Sequence, residues 1–378
     1  MATFKIPLSQ IDIGNDEIRA VVKVLRSQWL SLGEITGKFE RDFARQMGVD
    51  EAIAVANGTA ALHLANLALG IGPGDEVILP SLTFVATANA VLYCGASPVF
   101  ADVKSAEDLN ISPEEIEKKI SPRTKAICVV HYGGYPADMD RIMEIAARHG
   151  LFVIEDAAHA IGAELGGRKI GTIGSIGCYS FFSNKNMVTG EGGMVVTRDP
   201  ELAWKIRRLR SHGMTSLSWD RYKGHATSYD VTHLGYNYRV TEMTSALGRV
   251  QLKKLRGNNR RRAALAADYR KRLSGLASVT LPFSRYRGKP SFHIFPVIVD
   301  TRARRDDLRE RLQAAGVQTS VHYPPIHCFE LYRKRSSGRV VLPVTEDIAG
   351  RELTLPLFSG MTKGQLRRVT GALEKSLR

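Results

Sequence analysis

The stretch LFVIEDAAHA, residues 151–160, opens with an unbroken apolar run and then turns abruptly to two carboxylates. A run without polar alternation is the pattern of a strand buried on both faces, as in a mainly parallel sheet covered by helices. Six further runs share this texture: EAIAVAN (51–57), DEVILP (75–80), SPVFADV (97–103), KAICVVHY (125–132), SIGCYSFF (175–182) and GMVVT (193–197). Between them TAALHLANLAL, FVATANAVLYCG, SPEEIEKKI and MDRIMEIAARHG follow helical spacing. The repeated β-α-β order predicts an α/β fold: a mainly parallel seven-stranded sheet in a large domain.

The texture changes after residue 200. ELAWKIRRLRS reads as a helix, and a glycine- and polar-rich section from His212 to Asn237 follows. That section is too long for a simple connection. VTEMTSALGRVQLKKL and NRRRAALAADYRKRLSGL read as two amphipathic helices, FHIFPVIV (292–299) as a strand, RRDDLRERLQAAG and GQLRRVTGALEKSL as helices. The expected division is a large domain over residues 1–250, with an N-terminal segment, and a smaller C-terminal α/β domain over 251–378.

Composition narrows the function. The chain has 44% apolar and 24% charged residues, ordinary for a soluble globular protein. No apolar run is long enough to span a bilayer, and MATFKIPLSQ lacks a signal-peptide core, so a cytoplasmic protein with no membrane partner is expected. The net charge of +15 is dense in 205–212, 253–262 and 268–273. Those runs carry apolar residues at helical spacing, which makes them solvated helix faces rather than a nucleic-acid surface. A basic protein also attracts phosphorylated small molecules. The four cysteines, Cys94, Cys128, Cys178 and Cys328, form no CxxC pair and read as buried free thiols, with no metal site expected.

The strand ends carry the chemistry. Glu155, Asp156 and His159 lie at the end of the 151–157 strand, where ligands bind in parallel sheets. Capping of the next helix is the plainer alternative for Asp156, fitting a lone acid better than this cluster. Asn57, Gly58 and Thr59 open a helix whose free amides suit a phosphate, or form a simple N-cap. Lys185 lies in FFSNKNMVTGEGG (181–193), between an apolar run and a glycine cluster. An anion cradle, a carboxylate and a lysine are what pyridoxal 5′-phosphate (PLP) requires, and Phe84 offers a ring to stack on it.

These segments, with IPLSQIDIGNDEIRAVVKVLRSQWLSLGEITGKFERDFA and LGYNYRVTEMTSALGRVQL, resemble the DegT/DnrJ/EryC1/StrS family almost end to end. These are sugar aminotransferases of the PLP-dependent transferase type I fold. The resemblance implies that Lys185 forms the Schiff base with the cofactor, Asp156 pairs with its pyridine nitrogen and Phe84 stacks on the ring. It also implies that Gly58, Thr59 and Ser180 or Ser183 hold the phosphate, with His159 near the ring hydroxyl. Asn237 would reach the phosphate of a neighbouring subunit, in a homodimer with shared sites. Dehydrating relatives carry histidine at the Lys185 position, so the lysine argues for transamination. The implied substrates are L-glutamate and a nucleotide-linked keto-sugar (a 4-keto or 3-keto-6-deoxyhexose type). A sugar dehydratase, a cyclitol or carbocyclic-ketone aminotransferase and a ligand sensor are the alternatives.

Substrate contacts are expected from HYPPIHCFELY (322–332), through His322, Tyr323 and His327. SQWLSLG (27–33) adds Trp29, Leu30 and Ser31, the loop that lines the cofactor in relatives. His212, Trp219, Arg221 and His225 are further candidates in the polar section.

Overall fold

The computed structural model describes residues 4–216, 224, 227–336 and 338–377. Helices α1 (Asn15–Ser27) and α2 (Glu34–Met47) precede the sheet. The sheet strands are β1 (Glu51–Val55), β2 (Glu76–Pro80), β3 (Ser97–Ala101), β4 (Thr124–Val130), β5 (Phe152–Asp156), β6 (Ile176–Ser180) and β7 (Gly193–Thr197). They are the seven runs read from the sequence, in the order β1-β7-β6-β5-β4-β2-β3. All are parallel except β7, which runs antiparallel to β1 and β6.

Helices α3 (Gly58–Ala68), α4 (Ala86–Tyr93), α5 (Pro113–Lys119), α6 (Met139–His149) and α7 (Pro200–Leu209) connect and follow the strands. Their starts are chemically specified: Asn57, Ser112, Asp138 and Asp199 each accept a first-turn amide. Apolar clusters cover both sheet faces. One joins Leu62, Leu64 and Val91 to Val77, Leu79 and Ile154, and another joins Phe39, Phe43 and Leu255 to Tyr179, Met194 and Val196. Period-two alternation of side chains along each strand makes both sets apolar, which is why the runs do not alternate.

The basic segment after residue 240 is one helix, α8 (Glu242–Leu273), rather than two. Gly257 inside it costs about 1 kcal/mol relative to alanine. The packing offsets that cost, because the helix is held at both ends. Leu252 and Leu255 pack with Phe39 and Phe43, whereas Leu265, Ala266, Tyr269 and Leu273 pack on a second core. That second core surrounds a three-stranded antiparallel sheet of β8 (Val279–Thr280), β9 (Phe295–Val299) and β10 (Glu352–Leu355). Helices α9 (Arg302–Ala314), α10 (Glu330–Arg335), α11 (Pro343–Arg351) and α12 (Lys363–Leu377) complete the chain. The expected division at residue 250 therefore falls inside a continuous helix, and the change of core lies between Leu255 and Leu265. Among the described residues no helix is long and apolar enough to cross a membrane. Cys94, Cys128 and Cys178 are buried free thiols, but Cys328 is exposed, as the last residue of the short turn Ile326–Cys328 rather than part of a core strand.

Candidate active site

Because six of seven strands run the same way, their carboxyl ends meet at one edge of the sheet. Register aligns Val130, Asp156 and Cys178 across β4, β5 and β6, and Val55, Gly193 and Ser180 across β1, β7 and β6. Above this edge lies a cavity of about 410 Å³. Asn57, Gly58, Thr59, Phe84, Asp156, His159, Ser180, Lys185, His322 and Tyr323 all line it.

The Asp156 carboxylate sits at the floor and is buried. One oxygen accepts the Thr87 hydroxyl at 2.8 Å and the other the Ala158 amide at 3.1 Å. Burial pushes its pKa above the ordinary carboxylate value, against those two hydrogen bonds and the Lys185 charge. Two neutral donors leave lone pairs for a further, cationic partner. Thr87 was invisible to motif reasoning. Its signal is spacing, since it falls one helical turn after Thr83 and Phe84 in SLTFVATA.

Lys185 is half-buried in the cavity wall. Burial lowers its pKa to about 8, against the opposing attraction of Asp156. An amine in that range carries a useful free-base fraction near neutral pH. His159 is buried, and burial, then Lys185 and His322, hold its pKa well below the usual imidazole value. Its Nε2 lies 3.0 Å from the Tyr323 hydroxyl, while its buried Nδ1 has no partner among the described residues. The buried side-chain oxygen of Asn184, beside Lys185 in the cavity wall, likewise has no partner among the described residues.

The anion end is built by α3. Asn57 caps the helix through its side chain to the Ala60 amide and through its carbonyl to Ala61. The Gly58 and Thr59 amides are left pointing from the helix start, beside Ser180. A Cβ on Gly58 would stand 2.9 Å from the Ser180 Cβ, so only glycine lets the two segments approach this closely. A Cβ on Gly193 would meet the Asn57 backbone at 2.6 Å, which explains the glycine cluster that follows Lys185. Phe84 is exposed at the cavity mouth, with its ring 6.2 Å from that of Tyr323. Amides and hydroxyls for a phosphate, a carboxylate with spare lone pairs, a perturbed lysine, an exposed ring and orphaned His159 and Asn184 atoms fit a phosphorylated pyridine aldehyde.

Other expected residues lie elsewhere. Glu155 points to the opposite side of β5, where it accepts the Gly171, Ile173 and Gly174 amides at 2.6–2.7 Å and contacts His131 at 3.1 Å. Ser183, an alternative for the phosphate, does not line the cavity, and its hydroxyl donates to the Gly190 carbonyl. His327, expected among the substrate contacts, does not line the cavity. Both ring nitrogens are engaged, by Ser81 at 2.7 Å and Glu346 at 3.2 Å, and the ring is buried outside the cavity. Trp29, Leu30 and Ser31 also lie outside this chain's cavity. The Glu242 carboxylate accepts the amides of Gly33, Ile35 and Thr36 and ties their loop to the start of α8. Asn237 is exposed and does not line its own chain's cavity. His212 has a φ of 59° and joins the Tyr236 carbonyl through its amide, outside the cavity. Trp219, Arg221 and His225 lie outside the described residues.

Comparison with known proteins identifies the family. The sequence profile of the DegT/DnrJ/EryC1/StrS aminotransferase family matches residues 11–374. The spore coat polysaccharide biosynthesis protein SpsC of Bacillus subtilis is 40% identical over 374 residues, covering 97% of this chain and 96% of SpsC. DesV of S. venezuelae is 39% identical, with a TM-score of 0.91 and 100% of both chains covered. Spr1654 of Streptococcus pneumoniae in its PLP-form is 26% identical, with a TM-score of 0.92 and 98% of each chain covered. With a profile match over residues 11–374 and a lysine and a buried carboxylate lining one cavity at the sheet edge, this chain belongs to the DegT/DnrJ/EryC1/StrS family of sugar aminotransferases.

Proposed function

We propose that this aminotransferase uses PLP to move an amino group from L-glutamate to a nucleotide-linked keto-sugar. The observation that carries the reading is the shared cavity of Lys185 and Asp156, with an open helix start at its far end. When bound, PLP supplies the electron sink that makes the Cα–H of an amino acid acidic. Lys185 would hold the cofactor covalently. Gly58, Thr59 and Ser180 would take its phosphate, Phe84 its ring face, and Asp156 its ring nitrogen.

The chain's own groups then have definite tasks. Asp156 keeps a cation opposite it protonated, and that cation in turn stabilises the buried carboxylate. As a free amine, Lys185 would be the general base that takes the proton from the substrate carbon and the general acid that delivers it to the neighbouring cofactor carbon, and it would reverse that transfer in the second half-reaction. Its lowered pKa matches both duties near neutral pH. His159, neutral through burial, supplies a hydrogen-bonding nitrogen without adding a second positive charge beside Lys185. The basic composition, with a net charge of +15, favours capture of an anionic diphosphate handle. A homodimer, in which Asn237 and the 27–33 loop serve the neighbouring site, accounts for their position outside this chain's own cavity.

The test is product formation. Purified enzyme, L-glutamate and a panel of nucleotide-linked keto-sugars should yield 2-oxoglutarate and an amino sugar with one member of the panel. Lys185→Ala should yield neither. Full turnover by that variant, or turnover with free cyclitol ketones only, would overturn the reading.

A further inference from the structure

Behind His322 the small sheet places a carboxyl with no ionic partner. Glu352, the first residue of β10, is fully buried, and among the described residues no cation lies within ion-pair distance of its carboxylate. Its Oε2 accepts the His322 amide at 2.7 Å. Its Oε1 lies 2.5 Å from the Thr354 hydroxyl, and that hydroxyl lies 2.8 Å from Nδ1 of His322. Among the described residues Nε2 of His322 has no hydrogen-bond partner, and His322 lines the cavity. A continuous chain of hydrogen bonds thus runs from a buried acid to a ring nitrogen at the active site. The His322 carbonyl is held separately, by the Tyr132 hydroxyl.

We propose that Glu352 is a positioning residue that sets, through Thr354, which ring nitrogen of His322 carries its proton, and so makes His322 a neutral hydrogen-bond donor to a substrate oxygen.

Hydrogen-bond direction fixes the logic. A buried carboxyl without a cation favours its neutral form. The neutral acid then has one proton to donate, and the oxygen in reach is that of Thr354. Thr354 in turn donates to Nδ1, so the imidazole proton must be on Nε2, facing the cavity. Ionisation reverses every link. The Nε2 proton leaves into the cavity, the Thr354 proton passes to Nδ1, and the Glu352 proton passes to Thr354. The charge appears on Glu352, and His322 stays neutral while changing from donor to acceptor.

The surroundings agree. Burial raises the Glu352 pKa to about 8, and burial with the nearby Lys185 lowers that of His322 to about 4, so the acid titrates while the ring stays uncharged. The other charged or titratable groups near Glu352 are Arg305, Tyr132 and Tyr323. Arg305 spends its guanidinium on the carbonyls of Ala349 and Glu352 and on Asp306. His322 is faced by Lys185, His159 and His293. The proposal rests on this cavity being the active site, but its test reads a nitrogen rather than turnover.

The experiment is nitrogen NMR of the full-length, PLP-loaded enzyme labelled only in histidine, followed from about pH 6.5 to 9.5. Subtraction of the His322→Gln spectrum assigns the signal. Wild type should pass from the Nε2–H to the Nδ1–H form with a midpoint near 8, as Glu352 titrates. Glu352→Gln mimics the neutral acid and should stay Nε2–H throughout. Thr354→Val should lose the transition and Thr354→Ser should keep it. In parallel, KM for the keto-sugar should rise about five- to tenfold across the transition in wild type and stay flat in Glu352→Gln, the size of one neutral hydrogen bond. One fixed tautomer in wild type, or an unchanged transition in Glu352→Gln or Thr354→Val, would overturn the proposal. Titration of Lys185 in the same range does not imitate it, because that would survive both substitutions.

Discussion

Strand β5 ends in two adjacent carboxylates that serve two different regions of the molecule. Behind the sheet Glu155 is saturated: three amides from 171–174 and the His131 ring surround it, and those donors hold its pKa below the usual 4.5 despite burial. In front, Asp156 has two neutral donors and a cavity, and its pKa is raised. Glu155 is fully served by the fold. Asp156 is left wanting a cation, and a folded chain that leaves a buried carboxylate wanting is arranged for a ligand.

This contrast can be broken by mutation. The largest effect belongs to the front region. Lys185→Ala should lower turnover about 10⁴-fold or more, the upper range for removing a general acid–base, with little change in the denaturation midpoint. Steady-state kinetics beside a urea titration measures both. Asp156→Asn should retain PLP, read by absorbance, but lose about 10²- to 10³-fold in kcat, as for other preorganised electrostatic groups. Normal kcat would remove its assigned role.

The back region should answer in stability. Glu155→Gln presents an amide to donors that need an acceptor, and should cost about 3 kcal/mol in a denaturant titration while kcat per folded molecule holds. The pH dependence sharpens the point. A carboxylate held below its unfolded value contributes fully above about pH 4.5 and loses that contribution as pH falls through the folded value. Wild type should therefore lose stability between about pH 5 and 3 more steeply than Glu155→Gln. Equal slopes would mean that Glu155 is not held as described. The smallest effect is expected from Gly58→Ala, which pushes on Ser180 at the anion end. PLP affinity should fall about tenfold, or about 1.4 kcal/mol, by fluorescence titration.

Much of this was legible beforehand, for particular reasons. The seven sheet strands were visible because burial on both faces leaves unalternated runs. Lys185, Asp156, Gly58 and Thr59 were visible because strand ends are where such residues are otherwise unexpected. The different fates of Glu155 and Asp156 were not legible. They depend on a loop about twenty residues downstream that folds its amides back under the strand. His327 and Ser183 carry the right chemical groups, but Ser81, Glu346 and Gly190 satisfy them, and no local pattern announces those partners. Thr354 and Glu352, which reach His322 from another sheet, leave no motif at all.

The most direct measurement is the visible absorbance spectrum of the purified chain with PLP, before and after L-glutamate. A cofactor band that glutamate converts to the pyridoxamine form, and that is absent in Lys185→Ala, is the expected result. A wild-type chain that acquires no band in excess PLP, or a band of the same kind in the Lys185→Ala variant, would contradict the assignment of this cavity as the transaminase site.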